Sequence, residues 1–116
     1  MKAFDFAADG WRLHEDDGFL NHVGPIWERQ SDAGLMLAFQ SEKKHANLRG
    51  VVQGGMLMTV ADRLLGMHGR LMNEFRPQAT MHLDVHFLAP VKMGDVVIGT
   101  ARVRKNTPPF TSLKAS

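Results

Sequence analysis

Between residues 55 and 73 the chain is apolar at Met56, Leu57, Met58, Val60, Ala61, Leu64, Leu65, Met67, Leu71 and Met72, with few polar interruptions and no proline. A proline-free run of that length predicts a helix, and one apolar nearly all round predicts a buried helix at the centre of the core. Over residues 79–89 the period changes to two: Met81, Leu83, Val85 and Phe87 alternate with Thr80, His82, Asp84 and His86. That is the pattern of a strand with one apolar face. Pro90 ends it, residues 92–95 (Lys-Met-Gly-Asp) predict a turn, and residues 96–104 predict the antiparallel return strand. Upstream, residues 35–39 after Gly34 are apolar on both faces, which predicts a strand covered on both. A loop of charged and turn-forming residues follows over 41–47. Residues 1–30 hold both tryptophans and three of the seven phenylalanines among acidic side chains, with Gly24-Pro25 to break a helix. They read as a short helical lead-in that lays its aromatics against the body. Residues 110–115 begin one further strand. The expectation is a single α+β domain over residues 1–116, divided into the lead-in (1–30) and the core (31–116).

Composition narrows the chemistry. A chain of 116 residues is one domain, able to bury roughly two thirds of the surface its unfolded form exposes. It has no cysteine, which excludes disulfides, thiolate zinc sites and a thiol nucleophile. No apolar run approaches the ~20 residues needed to span a bilayer, and the acidic start lacks a signal-like apolar stretch. A cytoplasmic protein with no membrane partner is therefore expected. The net charge of +2 hides an asymmetry, because residues 1–32 carry 3 basic and 7 acidic side chains. The basic remainder, including Arg49, Arg102, Arg104 and Lys105, can attract phosphates. It is poor in aromatics and has no RNA-binding signature, so no nucleic-acid partner is expected. Neither a P-loop nor a Gly-x-Gly-x-x-Gly run occurs. His82 and His86 share a strand face with Asp84 and could reach one metal ion, but a polar outer face is the commoner meaning of that pattern, and no metal or cofactor is expected.

The sequence stops being generic at residues 45–55, His-Ala-Asn-Leu-Arg-Gly-Val-Val-Gln-Gly-Gly, followed by Asp62. Two glycines at the start of a helix disfavour it, so close backbone approach is the reason to expect them. The first N–H groups of a helix lack internal partners and lie at its positive end, a site for a carbonyl oxygen that gains charge. Asp62 has Met58, Thr59, Leu65 and Gly66 as its one-turn neighbours, none of them basic. A buried carboxylate without a partner is costly, so Asp62 is either placed for chemistry, exposed on one edge of the helix, or held by a structural hydrogen bond. Seven residues at 1.5 Å each put it about 10 Å along the helix from Gly55, too far to serve a carbonyl held at its own helix start. Two such helices running antiparallel across a two-fold axis would bring each carboxylate to the other's glycine end, which predicts a homodimer.

These residues resemble the hotdog-fold acyl-CoA thioesterases of the phenylacetate-degradation (PaaI) type. The likeness runs through Gly18-Phe19-Leu20, Gly24-Pro25, Asn47, Gly50, Gly54-Gly55, Asp62, Pro90 and Gly94-Asp95. The resemblance implies a hotdog fold, with a long central helix wrapped by an antiparallel sheet, and hydrolysis of an acyl-CoA thioester without a cofactor. It makes Asp62 the general base or nucleophile, gives Asn47 and Gly55 the polarising of the carbonyl, and gives Thr80 a part in holding water. Gln53 and Gly54 are the implied substrate-binding residues, and His45, two residues before Asn47, is a loop residue that either orients the loop or joins them in binding substrate. A homodimer or a dimer of dimers is implied, with acyl-CoA as substrate. Two features depart from the family. Gln53 stands where a histidine is usual, and the strands counted here fall at least one short of five, an apparent truncation at the C-terminal strand. A catalytically silent hotdog protein that binds acyl-CoA or serves as a partner subunit is the alternative reading.

Overall fold

A computed structural model describes residues 2–32, 34–72, 91–102 and 110–115. Five antiparallel strands lie side by side in chain order: β1 (Arg12–Leu13), β2 (Trp27–Ser31), β3 (Gly34–Gln40), β4 (Val96–Arg102) and β5 (Phe110–Ala115). Among the described residues, helices α1 (Phe19–Val23) and α2 (Gly54–Met72) join them, and α2 packs across β3, β4 and β5.

The doubly apolar strand is where the sequence predicts it, and its two faces meet different partners. Leu37 and Phe39 share one buried cluster with Met56, Leu57, Val60, Leu64 and Leu65 of α2. Ala38 points the other way, into a second cluster with Phe6 and Trp11. There Phe6 stacks on Trp27 with ring centroids 5.2 Å apart and meets Trp11 edge-on at 6.1 Å. Phe6, Trp11 and Trp27 therefore cover the sheet face opposite α2, whereas Phe19 of the lead-in is exposed beside Met58.

The lead-in is not helical throughout. Residues Trp27–Ser31 form a strand whose ladder runs from Trp27 opposite Ala38 to Ser31 opposite Gly34. Arg12 and Leu13 then pair outside it with Glu28 and Trp27. Only α1 and one turn of 3-10 helix at Ala7–Asp9 keep helical backbone. Gly24 ends α1, where an added Cβ would lie 2.8 Å from the Leu20 carbonyl oxygen and 2.9 Å from the Ile26 nitrogen, so no other residue fits without a shift.

The expected turn closes at Gly94, whose φ is +91°. Lys92 N–H donates to Asp95 Oδ2 at 3.0 Å, and Ser41 N–H donates to the Asp95 carbonyl at 2.9 Å. The return strand follows as β4, between β3 and β5, with Val97 opposite both Phe39 and Ala115. The final segment forms β5, paired with β4 from Phe110 opposite Arg102 to Ala115 opposite Val97. The strand expected over residues 79–89, with Thr80, His82, Asp84 and His86, lies outside the described residues, as do Arg104 and Lys105. No helix among the described residues is long and apolar enough to cross a membrane.

One expectation about α2 is corrected. The helix is not buried all round: Met56, Leu57, Val60, Ala61, Leu64 and Leu65 are buried, whereas Gln53 just before it, Gly55, Met58 and Asp62 are exposed. The methionines make the sequence look uniformly apolar, but one stripe of α2 faces outward.

Candidate active site

The loop ahead of α2 is built on Asn47. Its Oδ1 accepts the N–H of Arg49 at 2.8 Å and of Val51 at 3.3 Å, and its backbone N–H donates to the Val51 carbonyl at 2.7 Å. Gly50 completes the turn with a φ of +79°, a conformation that costs an ordinary L-residue about 1–2 kcal/mol. With its oxygen engaged by the loop, Asn47 keeps its Nδ2 donors for another acceptor. Leu48, at the tip, is fully exposed.

His45 turns out to be a support for this loop. It is 3% exposed; its Nδ1 accepts the Glu42 N–H at 2.9 Å, so its Nε2 carries the proton donated to the Val23 carbonyl. Both ring nitrogens are thereby engaged, and the ring edge packs on Phe39. Of the two roles expected of His45, orienting the loop is the one these contacts serve. The His45 carbonyl in turn accepts the Gln53 N–H at 2.7 Å, which fixes where α2 begins.

At that start, the Gln53 carbonyl takes the Met56 N–H at 2.9 Å, and no described residue accepts from the N–H of Gly54 or Gly55. An added Cβ at Gly55 would touch nothing nearer than Gln53 Cγ at 3.9 Å. Packing among the described residues therefore does not demand a glycine there, although glycine costs a helix up to about 1 kcal/mol relative to alanine. Gln53 itself is exposed.

Asp62 lies two turns along the helix on the outward stripe. Thr59, one turn before it, donates its hydroxyl to the Gly55 carbonyl at 2.8 Å. Among the described residues no ion pair reaches Asp62. Since the carboxylate is exposed, the cost of burying it does not arise in the single chain. It opens into a groove of about 460 Å³ lined by Phe19, Leu20, Met58, Thr59, Asp62 and Arg63. Neither Asn47 nor Gly55 of the same chain lines that groove. The fold thus gathers Asn47, Gln53, Gly54 and Gly55 around the helix start and leaves Asp62 apart from them. Thr80 lies outside the described residues.

Sequence reasoning missed the network that holds Arg63, one of the residues lining the groove. Arg63 donates to Asp16 Oδ1 at 3.2 Å and to His14 Nε2 at 3.0 Å, and His14 Nδ1 meets Glu28 Oε1 at 3.2 Å. Because a guanidinium only donates, His14 Nε2 accepts and its Nδ1 carries the proton toward Glu28. Asp16 Oδ2 takes the N–H of Gly18 at 3.0 Å and of Leu20 at 3.1 Å. An aspartate two residues before a glycine that opens a helix is a recognisable start signal. Its second partner, 47 residues away in sequence, is not readable from the chain.

Comparison with known proteins gives the family. The thioesterase superfamily matches residues 49–107. A Pseudomonas aeruginosa protein named as an esterase is 32% identical over 95 residues, covering 80% of this chain and 71% of its own. Human acyl-coenzyme A thioesterase 13 is 28% identical over 74 residues, covering 62% of this chain and 53% of its own, so the chain spans about half of that relative. The crystal structure of zebrafish thioesterase superfamily member 2 superposes with a TM-score of 0.71 at 20% identity, covering 88% of this chain and 76% of that one. With the family match over residues 49–107, a relative 32% identical over 80% of the chain, and a helix packed on an antiparallel sheet, the chain belongs to the hotdog-fold thioesterase superfamily and is a thioester hydrolase.

Proposed function

We propose that the protein hydrolyses an acyl-CoA thioester to the free acid and coenzyme A, as a single domain acting in the cytoplasm and assembled as a homodimer or a dimer of dimers. Asp62 acts as general base: its carboxylate takes a proton from water, whose oxygen forms the new bond to the thioester carbon. The carbon–sulfur bond then breaks, and the sulfur leaves as the thiol after accepting a proton. Attack by the carboxylate itself, followed by hydrolysis of the resulting anhydride, is the variant of this step. The carbonyl oxygen is held by the N–H of the partner subunit's Gly55 and by Nδ2 of the partner subunit's Asn47, where the positive end of a helix favours the developing charge. Gly54 leaves that end open, and the exposed Gln53 beside it is placed to hydrogen-bond the substrate. Thr80 is assigned the holding of the water.

The observation that carries this reading is the separation of the two halves. Asp62 faces an open groove that its own Asn47 and Gly55 do not line, and two chains related by a two-fold axis supply both halves twice. Gln53 favours the second reading, a silent acyl-CoA binder, since glutamine cannot titrate as the usual histidine does.

Thiol release from short, long and aromatic acyl-CoAs, with wild type and Asp62→Asn, separates the two. The base assignment predicts a fall in kcat of roughly 100-fold or more in the variant. A folded wild-type protein that binds acyl-CoA without releasing thiol would establish the silent reading. An unaffected Asp62→Asn would remove the carboxylate from the mechanism.

A further inference from the structure

Asp16 gives its two carboxylate oxygens to two different elements. Oδ2 receives the N–H groups of Gly18 and Leu20 at the start of α1, and Oδ1 receives Nη2 of Arg63, the residue after Asp62 on α2. Helix α1 has only five residues, too few to hold helical structure alone, so its position depends on tertiary contacts. Among the described residues those contacts are Leu20, buried in the main cluster, Val23, packed against it with its carbonyl accepting from His45, and Asp16 at the front end.

What α1 carries into the groove is Phe19, 61% exposed, which faces the same opening as Met58, 42% exposed, and Asp62. An aromatic ring and a flexible thioether beside a carboxylate form a surface for an apolar chain whose reactive end lies at the acid. Arg63 is held on the far side by His14 Nε2 at 3.0 Å, and His14 by Glu28 of β2. The link therefore runs from the sheet through His14 and Arg63 to Asp16, and from Asp16 into α1.

We propose that Asp16 is a positioning residue which, through Arg63, sets the distance between Phe19 and Asp62 and so determines which acyl chains the groove grips. This rests on the thioester reading above for the identity of the ligand. Phe19 is then the wall that meets the acyl chain, and Asp16 acts through it without touching the reacting atoms.

The test measures two quantities on wild type, Asp16→Ala, Asp16→Asn and Phe19→Ala, with melting followed by circular dichroism. The first is the affinity for non-hydrolysable S-alkyl-CoA thioethers of increasing chain length. The second is kcat and KM for acyl-CoAs of the same lengths. Wild type should bind longer chains progressively more tightly, by up to about fourfold per buried methylene. Asp16→Ala should lose tenfold or more of the gain between the shortest and longest chains, with the loss appearing in KM. Its kcat should fall less than threefold. Asp16→Asn retains an oxygen that accepts from Gly18 and Leu20 and should lie between the two. Phe19→Ala removes an exposed side chain, so it reports on the groove even if Asp16→Ala fails to fold. Wild-type chain-length dependence in every folded variant overturns the proposal, as does a wild type indifferent to chain length. Chain-length-dependent binding without turnover overturns hydrolysis and leaves the positioning role standing.

Discussion

Asp16 shows how one side chain acquires two roles. Partial burial by itself would raise its pKa, but the Arg63 hydrogen bond, the Gly18 N–H, the Arg63 charge and the Leu20 N–H outweigh that and hold it below the ordinary value of 3.8. A carboxyl group with a lowered folded value stabilises the folded state at pH above its unfolded value, and that contribution is lost as the pH falls through the folded one. Below pH 3.8, wild type should therefore lose a stability increment that Asp16→Asn never had. Urea unfolding of the two proteins at pH 7 and near pH 3 should show the difference between them shrinking toward acid. An unchanged difference would mean that the Asp16 contacts do not discriminate its charged form. His45 makes the complementary point: a histidine beside a predicted site serves the backbone here, because a neighbouring N–H and a carbonyl claim both nitrogens.

Among the elements, α2 shows what a hydrophobic count conveys and what it conceals. Ten apolar side chains announced the helix, while the face left outward was decided by what it packs on. Leu64 and Val60 are fully buried against the cluster that holds Leu37, Phe39 and Val97. Leu64→Ala should cost about 2–5 kcal/mol, read as a lowered urea midpoint at unchanged slope. Met58→Ala, on the exposed stripe, should change the stability of the isolated chain by less than about 1 kcal/mol. The strands divide in the same way. Strand β3 was legible because four buried residues follow one another closely, and β5 because Phe110–Ala115 follows a proline-rich break. Strand β2 was not, since Trp-Glu-Arg-Gln-Ser has no apolar alternation. It is a strand because the β3 ladder pairs its backbone, and Trp27 is held by the aromatic cluster beneath.

For the whole molecule, the decisive consequence is stoichiometric. If the two halves of the site come from different subunits, Asp62→Asn and Gly55→Val each disable both sites of a homodimer, yet a mixed dimer contains one intact site. Unfolding and refolding the two variants together at equal concentration should restore about one quarter of wild-type activity, since half the dimers are mixed and each has one good site of two. A mixture no more active than its parents would place the whole site within one chain. The same preparation should have the mass of a dimer or a multiple of it.

The candidate site residues were legible as a linear motif because the elements that carry them are local. Asn47, Gly54 and Gly55 lie within nine residues of one another, and helical rise alone separates Asp62 from them. Packing and hydrogen bonding across long sequence separations decided the rest. They set which stripe of α2 stays open and make a polar segment into β2. They turn His45 inward, and they tie Asp16 to Arg63 across 47 residues. Periodicity records a residue's own preference for water, whereas a hydrogen bond between distant side chains exists only after the backbone has already brought them within about 3 Å.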